Sequence, residues 1–149
     1  MGCWDYRILC DDGALDAFDE LEESENLAAD IERMLDDVLA KKDELEYDVC
    51  EYGLVAAALV AVSVGSADWE LLSDFPLETD EQREHYNEYY AALLDRAKAE
   101  DLSHLKGKAA EAFKIVKSGE SELYGLWEEN EELFPRWIEN IDRLIETLK

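Results

Sequence analysis

One segment of the chain is apolar on every side. Val49 to Gly65 reads VCEYGLVAAALVAVSVG, and from Leu54 to Val64 it carries no charge and a single hydroxyl, Ser63. A helix without a polar face must be enclosed by others, because a surface that is apolar all round cannot be left half in water. The pattern therefore predicts an all-α fold, a single-domain bundle of about six or seven helices packed around a buried central helix over about 46–65.

The flanking segments are one-sided. Ala14, Leu15, Phe18 and Leu21 recur at helical spacing, with Asp11 or Asp12 as the cap, and predict a first helix from Asp12 to Glu22. Leu27, Ile31, Met34, Leu35 and Val38 predict a second, ending near Lys41 and Lys42, whose charges suit a helix C-terminus. Asp43 can cap the central helix and Gly65 can stop it. From Ser66 to Thr79 the periodicity lapses into the longest irregular stretch, containing Trp69, Phe75 and Pro76.

Thr79-Asp-Glu-Gln82 has capping-box spacing, and Tyr86, Tyr89, Tyr90, Leu93, Leu94 and Ala97 draw one face of a fourth helix. Ser103 begins a fifth, with Leu105, Ala109, Ala112, Phe113 and Val116 inward. Its Lys106, Lys108, Lys114 and Lys117 make it the one locally basic segment, placed to lie beside acidic helices and offset them. Gly119 ends it, Ser121 caps a short sixth, and Pro135 suits the first turn of a seventh. There Phe134, Trp137, Ile138, Ile141, Leu144, Ile145 and Leu148 form an unbroken apolar stripe. Strand signals are weak, and no internal repeat is visible.

Composition changes this picture in one respect. With 39 acidic against 14 basic residues among 149, the net charge is −25. Such a surface keeps the chain soluble and excludes bare nucleic acid and anionic membranes as partners, while a basic protein is drawn in. The length and 48% hydrophobic content fit one domain over 1–149. Cys3, Cys10 and Cys50 form an odd set without a CxxC pair, as expected of reduced thiols in a cytosol. The opening MGCWDYRILCDD has acids where a secretory signal needs bases, position 6 is Tyr6 where N-myristoylation wants Ser or Thr, and the apolar run is shorter than the roughly 20 residues of a membrane span. A cytoplasmic location is the expectation.

Catalytic patterns are scarce. The two histidines, His85 and His104, form no Glu-x-x-His pair and read as exposed helix residues, so no metal or other cofactor is expected. Metalloprotease, P-loop, dinucleotide and hydrolase-elbow motifs are absent. Cys50 reads as inert packing, since burial raises a thiol's pKa. Glu128-x-x-Glu131 and Glu139-x-x-Asp142 have the spacings of an all-α Mg²⁺-dependent nucleotide hydrolase, but the gap between them is short and contains Pro135. Trp137 and Trp127 are expected in the core, whereas Trp4 and Trp69 fall in irregular segments where core and exposed anchor are both open.

The opening MGCW followed by DDGALDAFDEL, the middle VAAALVAV and the segment SELYGLWEE together resemble the bacterial domain-of-unknown-function family 4259. The resemblance covers nearly the whole chain. It departs where Gly-x-Phe is usual after the first Trp, since Tyr6, Arg7, Ile8 and Leu9 stand there. It implies a small all-α bacterial protein, of a kind often encoded beside toxins and their immunity proteins, and carries no activity onto particular residues.

The functional expectation is a non-enzymatic acidic protein that binds and neutralises a basic partner, most concretely a bacterial immunity protein against a toxin domain such as a nuclease. The interface is expected where acid is densest, at Asp11, Asp12, Asp16, Asp19, Glu20, Glu22, Glu23 and Glu25, with a second patch at Glu128, Glu129, Glu131 and Glu132. The alternatives are the Mg²⁺-dependent hydrolase, a DNA-mimic inhibitor and an acidic interaction module of other purpose. A merely solvated acidic face is the competing account, and salt-adapted composition ranks below it because lysines and large aliphatics remain plentiful.

Overall fold

The central segment forms a helix in the computed structural model, which describes residues 7–9, 12–40, 45–65, 72–73, 77–118 and 121–148, with only the backbone of Asp12. In chain order the helices are α1 (Asp12–Glu22), α2 (Leu27–Ala40), α3 (Tyr47–Ser63), α4 (Asp80–Tyr89), α5 (Ala91–Ala99), α6 (Lys106–Val116), α7 (Glu122–Glu128) and α8 (Phe134–Thr147). A 3₁₀ turn at Ser103–Leu105 leads into α6. Among the described residues there is no strand. The architecture is an all-α bundle.

Helix α3 is the axis. Every residue from Gly53 to Val62 is buried, and α6, α2, α1 and α5 pack against it most extensively, with α7 and α8 closing the ring. It ends at Val64, whose amide bonds the Val60 carbonyl at 3.1 Å, and at Gly65, whose φ of +79° is the left-handed turn that a residue without Cβ supplies. Ser63, the lone hydroxyl of the run, donates to the Glu100 carbonyl at 2.6 Å and accepts from the Leu102 amide at 3.2 Å, tying the end of α3 to the entry of the 3₁₀ turn.

The helix spans 47–63, close to the expected limits of about 46–65, and its cap position is Glu46, which makes no side-chain cap bond. One expectation about it is corrected. It is not enclosed all round: Asp48 is exposed, and Tyr47, Val49 and Tyr52 are half-buried. The first two turns therefore reach the surface between α1 and α2.

The amphipathic helices follow their stripes. In α1 the buried positions are Ala14, Ala17, Phe18 and Leu21, with Leu15 only half-buried. In α2 Leu27, Ile31, Met34, Leu35 and Val38 all face inward, and Asn26 accepts from the Ala29 amide at the helix start. A Cβ on Gly53 would stand 2.3 Å from Val38 Cγ2, so this glycine allows α2 its closest approach to α3.

The expected single fourth helix is two. Thr79 and Gln82 form the capping box, with the Gln82 amide 3.1 Å from Thr79 Oγ1 and the Thr79 amide 3.0 Å from Gln82 Oε1. At Tyr90 the backbone leaves helical dihedrals (φ −125°, ψ −35°), although Leu94 still donates to the Tyr90 carbonyl. The kink turns the Tyr90 ring onto Phe18 at 5.4 Å, edge-on. No residue of α4 is fully buried; Tyr86 of the expected stripe packs half-buried against the core, as does Tyr90 at the kink, whereas Tyr89 is 54% exposed. The kink makes eight α-helices of the expected seven among the described residues.

The C-terminal part follows expectation closely. Ser121 accepts from the Tyr124 amide at 2.9 Å and donates to the Val116 carbonyl, capping α7. Pro135 sits in the first turn of α8. Trp137 stacks on Trp127 at 5.8 Å, and Tyr124 meets Phe134 edge-on at 5.1 Å. In the irregular stretch Leu72 and Ser73 are buried, and the Leu9 amide bonds the Leu72 carbonyl at 2.7 Å. The expectations for Cys3, Cys10, Trp4, Trp69, Phe75, Pro76, Lys41, Lys42, Asp43 and Gly119 lie outside the described residues.

Candidate functional site

The amphipathic pattern of α1 places its carboxylates outward. Asp16, Asp19, Glu20, Glu22, Glu23 and Glu25 are all exposed, while Asp11 and the Asp12 side chain lie outside the described residues. Glu22 stands at the C-terminal end of α1, where the helix dipole disfavours an anion. Burial and then repulsion from Asp19 and Glu23 push its pKa above the ordinary value.

Glu128, Glu129, Glu131 and Glu132 are likewise exposed, at the corner between α7 and α8. The two groups are not brought together as one patch by helix packing: α1 packs on α3, α2 and α5, and α7 packs on α3 and α8. Acid is not confined to these groups. Glu84, Glu88, Asp95, Glu111 and Glu146 are exposed on four other helices, so density alone does not single out an interface.

Pairing does distinguish one surface. Along one side of α2, Glu32 and Asp36 are both bonded by Lys108 of α6 at 2.8 Å, and hydrogen bonds to Asp36 and then Glu32 raise the ammonium's pKa. Lys117 of α6 bonds Asp142 of α8, and Arg143 bonds Glu139 at 3.0 Å. The basic segment thus offsets its neighbours as expected. Lys117 of that segment and Arg143 of α8 between them occupy both members of the Glu139-x-x-Asp142 pair, which is therefore held in ion pairs. Among the described residues no three His, Cys, Asp or Glu side chains converge as metal ligands.

The opposite side of α2 differs. There α1, α2 and the exposed start of α3 enclose a groove of about 220 Å³ lined by Glu20, Arg33, Met34, Asp37, Asp48, Val49 and Tyr52. Met34 is buried and Val49 and Tyr52 half-buried, so they form the floor; Glu20, Arg33, Asp37 and Asp48 are exposed and form the rim. Among the described residues Glu20, Asp37 and Asp48 have neither ion pair nor side-chain hydrogen bond, nor has Asp16 close by. The one rim cation among the described residues, Arg33, leans toward Asp30 at 3.8 Å. Burial, and then the charges of Glu20, Asp16 and Asp48, raise the Tyr52 phenol's pKa and keep it neutral.

The groove is smaller than the roughly 300–1,000 Å³ of ligand and substrate pockets, so it admits a side chain more readily than a nucleotide. Of its residues the sequence expectation named only Glu20. Asp37, Asp48 and Tyr52 were missed because they lie on two further helices. The one local signal was Asp48 and Tyr52, polar groups one turn apart at the start of an otherwise apolar helix.

Other chemistry in the chain is structural. Cys50 is buried in α3, and its thiol is pushed up to about 11, chiefly by burial. His85 and His104 are exposed, with His85 beside the Tyr89 ring at 4.9 Å. Glu51 is 2% exposed at the α1–α3 contact, facing Gly13 and Tyr47, and was not anticipated. No helix among the described residues is long and apolar enough to cross a membrane.

A family model described as Domain of unknown function (DUF4259) matches residues 2–140. No curated protein and no solved structure matches the chain.

Proposed function

Because the chain belongs to the family described as Domain of unknown function (DUF4259), we propose its role from its own surface: a non-enzymatic bacterial protein that captures and neutralises a basic protein partner in the cytoplasm. In its most concrete form it is an immunity protein, and the partner is a toxin domain, such as a nuclease, whose substrate-binding face is cationic. One observation carries this reading. Among the described residues, the internal cations neutralise acids between α2, α6 and α8 but form no ion pair with the carboxylates of the α1–α3 groove.

Carboxylates gathered on one rim without cations bonded to them repel one another, at a cost in stability. Beside an apolar floor they form the polar rim and dry centre that protein interfaces use. The net charge of −25 adds long-range attraction and steers a cationic protein into contact. The wider acidic surface sets how quickly the partner arrives, and the groove sets where it docks.

The test is protection. A basic product encoded beside this chain is expressed in cells, and survival is scored with and without the chain. Wild type is expected to protect, and a Glu20→Gln/Asp37→Asn/Asp48→Asn variant to protect far less. In vitro, the association rate with that partner is expected to fall steeply as salt shortens the screening length from about 30 Å at 0.01 M to about 8 Å at 0.15 M. Equal protection by the neutralised variant, or nucleotide turnover by the purified chain, would overturn the reading.

A further inference from the structure

We propose that the α1–α3 groove is an arginine socket: it receives one arginine side chain of the partner, methylenes along Met34 and Val49, guanidinium over the Tyr52 ring and bonded to the Asp37, Asp48 or Glu20 carboxylates. The inference rests on the reading above, that the partner is a basic protein, and it names the chemical group that the site selects.

Three features of the groove converge on this occupant. Its volume of about 220 Å³ suits a single side chain. Its floor combines a thioether, a branched aliphatic and a half-buried phenol ring, which favours a weakly hydrated planar cation over a compact, strongly hydrated ammonium. Among the described residues its rim carries three carboxylates without ion-pair partners against one arginine, so it enters binding with excess negative charge. A guanidinium has five donors in a rigid fork and can serve two carboxylates at once, whereas an ammonium would leave the ring face uncovered. Tyr52 supplies the π face as the neutral phenol, since its surroundings oppose ionisation.

Arg33 is the chain's own competitor for this place. It stands on the rim, exposed and drawn toward Asp30. Its charge repels an incoming guanidinium, so Arg33→Gln is expected to tighten binding instead of weakening it.

The experiment titrates the full chain with hexa-arginine and with hexa-lysine at one ionic strength and follows methyl resonances. Met34 is one of only two methionines, so its methyl signal reports the groove without ambiguity, and Val49 gives a second reporter. Hexa-arginine is expected to shift both and to bind about threefold more tightly than hexa-lysine, the preference of one exposed cation–π contact. Tyr52→Phe should keep that preference and Tyr52→Leu should abolish it, while Glu128→Gln/Glu129→Gln/Glu131→Gln/Glu132→Gln should leave the Met34 shift unchanged. Equal affinity for the two peptides, or an unmoved Met34 methyl, overturns the socket while the basic-partner reading stands. Absence of binding by either peptide at low salt overturns both.

Discussion

Gly53→Ala tests the contact that sets the shape of the groove. A methyl group on Gly53 would stand 2.3 Å from Val38 Cγ2. Carbon atoms settle about 3.5–4.0 Å apart, so the helices must part by about 1 Å or Val38 must leave its rotamer. Neither is easy. Val38 is fully buried, and a β-branched side chain in a helix has one strongly preferred χ1. Overpacking of this kind costs about 1–3 kcal/mol, while replacing a helical glycine by alanine returns about 1 kcal/mol. The net expectation is a destabilisation of about 1 kcal/mol, or about 2–4 °C in Tm for a chain of this size.

The control is the same chemical change where there is room. A Cβ on Gly125 in α7 meets nothing within 4 Å, so Gly125→Ala should stabilise by about 0.5–1 kcal/mol. In a Val38→Ala background the obstructing methyl is gone and Gly53→Ala should turn neutral or stabilising, giving a coupling of about 1–3 kcal/mol. Urea unfolding followed by far-UV circular dichroism measures all four variants. If Gly53→Ala is as stable as the parent, or costs the same with and without Val38, the close approach of α2 and α3 is not what fixes their spacing. The same variant should weaken hexa-arginine binding, since moving α2 carries Met34 and Asp37 away from Val49 and Tyr52.

Trp127→Ala removes the ring stacked on Trp137 in a buried cluster and should cost about 3–5 kcal/mol, read as a lower urea midpoint. In a Cys3→Ser/Cys10→Ser background, Cys50 should resist a thiol reagent at pH 8 until the chain unfolds. Burial pushes its folded pKa from an ordinary 9.0 up to about 11, so the native state holds its proton longer. The stability this contributes is present below pH 9.0 and lost as pH rises toward about 11. Glu22 is also raised, in the folded state, above the ordinary glutamate value of 4.5, so its ionisation opposes folding. Stability should therefore gain as pH falls through that folded value, and Glu22→Gln should remove this part of the pH dependence. Charge reversal at Asp16, Asp19 and Glu23 should leave the circular dichroism spectrum intact and slow association with a basic partner in low salt.

Local order was legible in the chain by itself. The 3.6-residue stripes located α1, α2, α6 and α8, and Gly65, Thr79, Ser121 and Pro135 marked boundaries of α3, α4, α7 and α8, because capping, φ restriction and one-sided burial act within a few residues. The apolar run identified the axis of the bundle for the same reason. Tertiary packing decided the rest. The break at Tyr90 goes with the contact of its ring with Phe18, which is far away in sequence.

Which acids are neutralised was equally invisible, since Lys108 reaches Glu32 and Asp36 only across the α2–α6 contact. A sequence records how many charges a chain has, but an ion pair forms over a few ångströms of space, and spacing between helices is set by where small residues let backbones approach. The twelve acids first singled out and the groove therefore share only Glu20. Asp37, Asp48 and Tyr52 join it because Gly53 brings α2 against α3, a contact that exists only once the helices have packed.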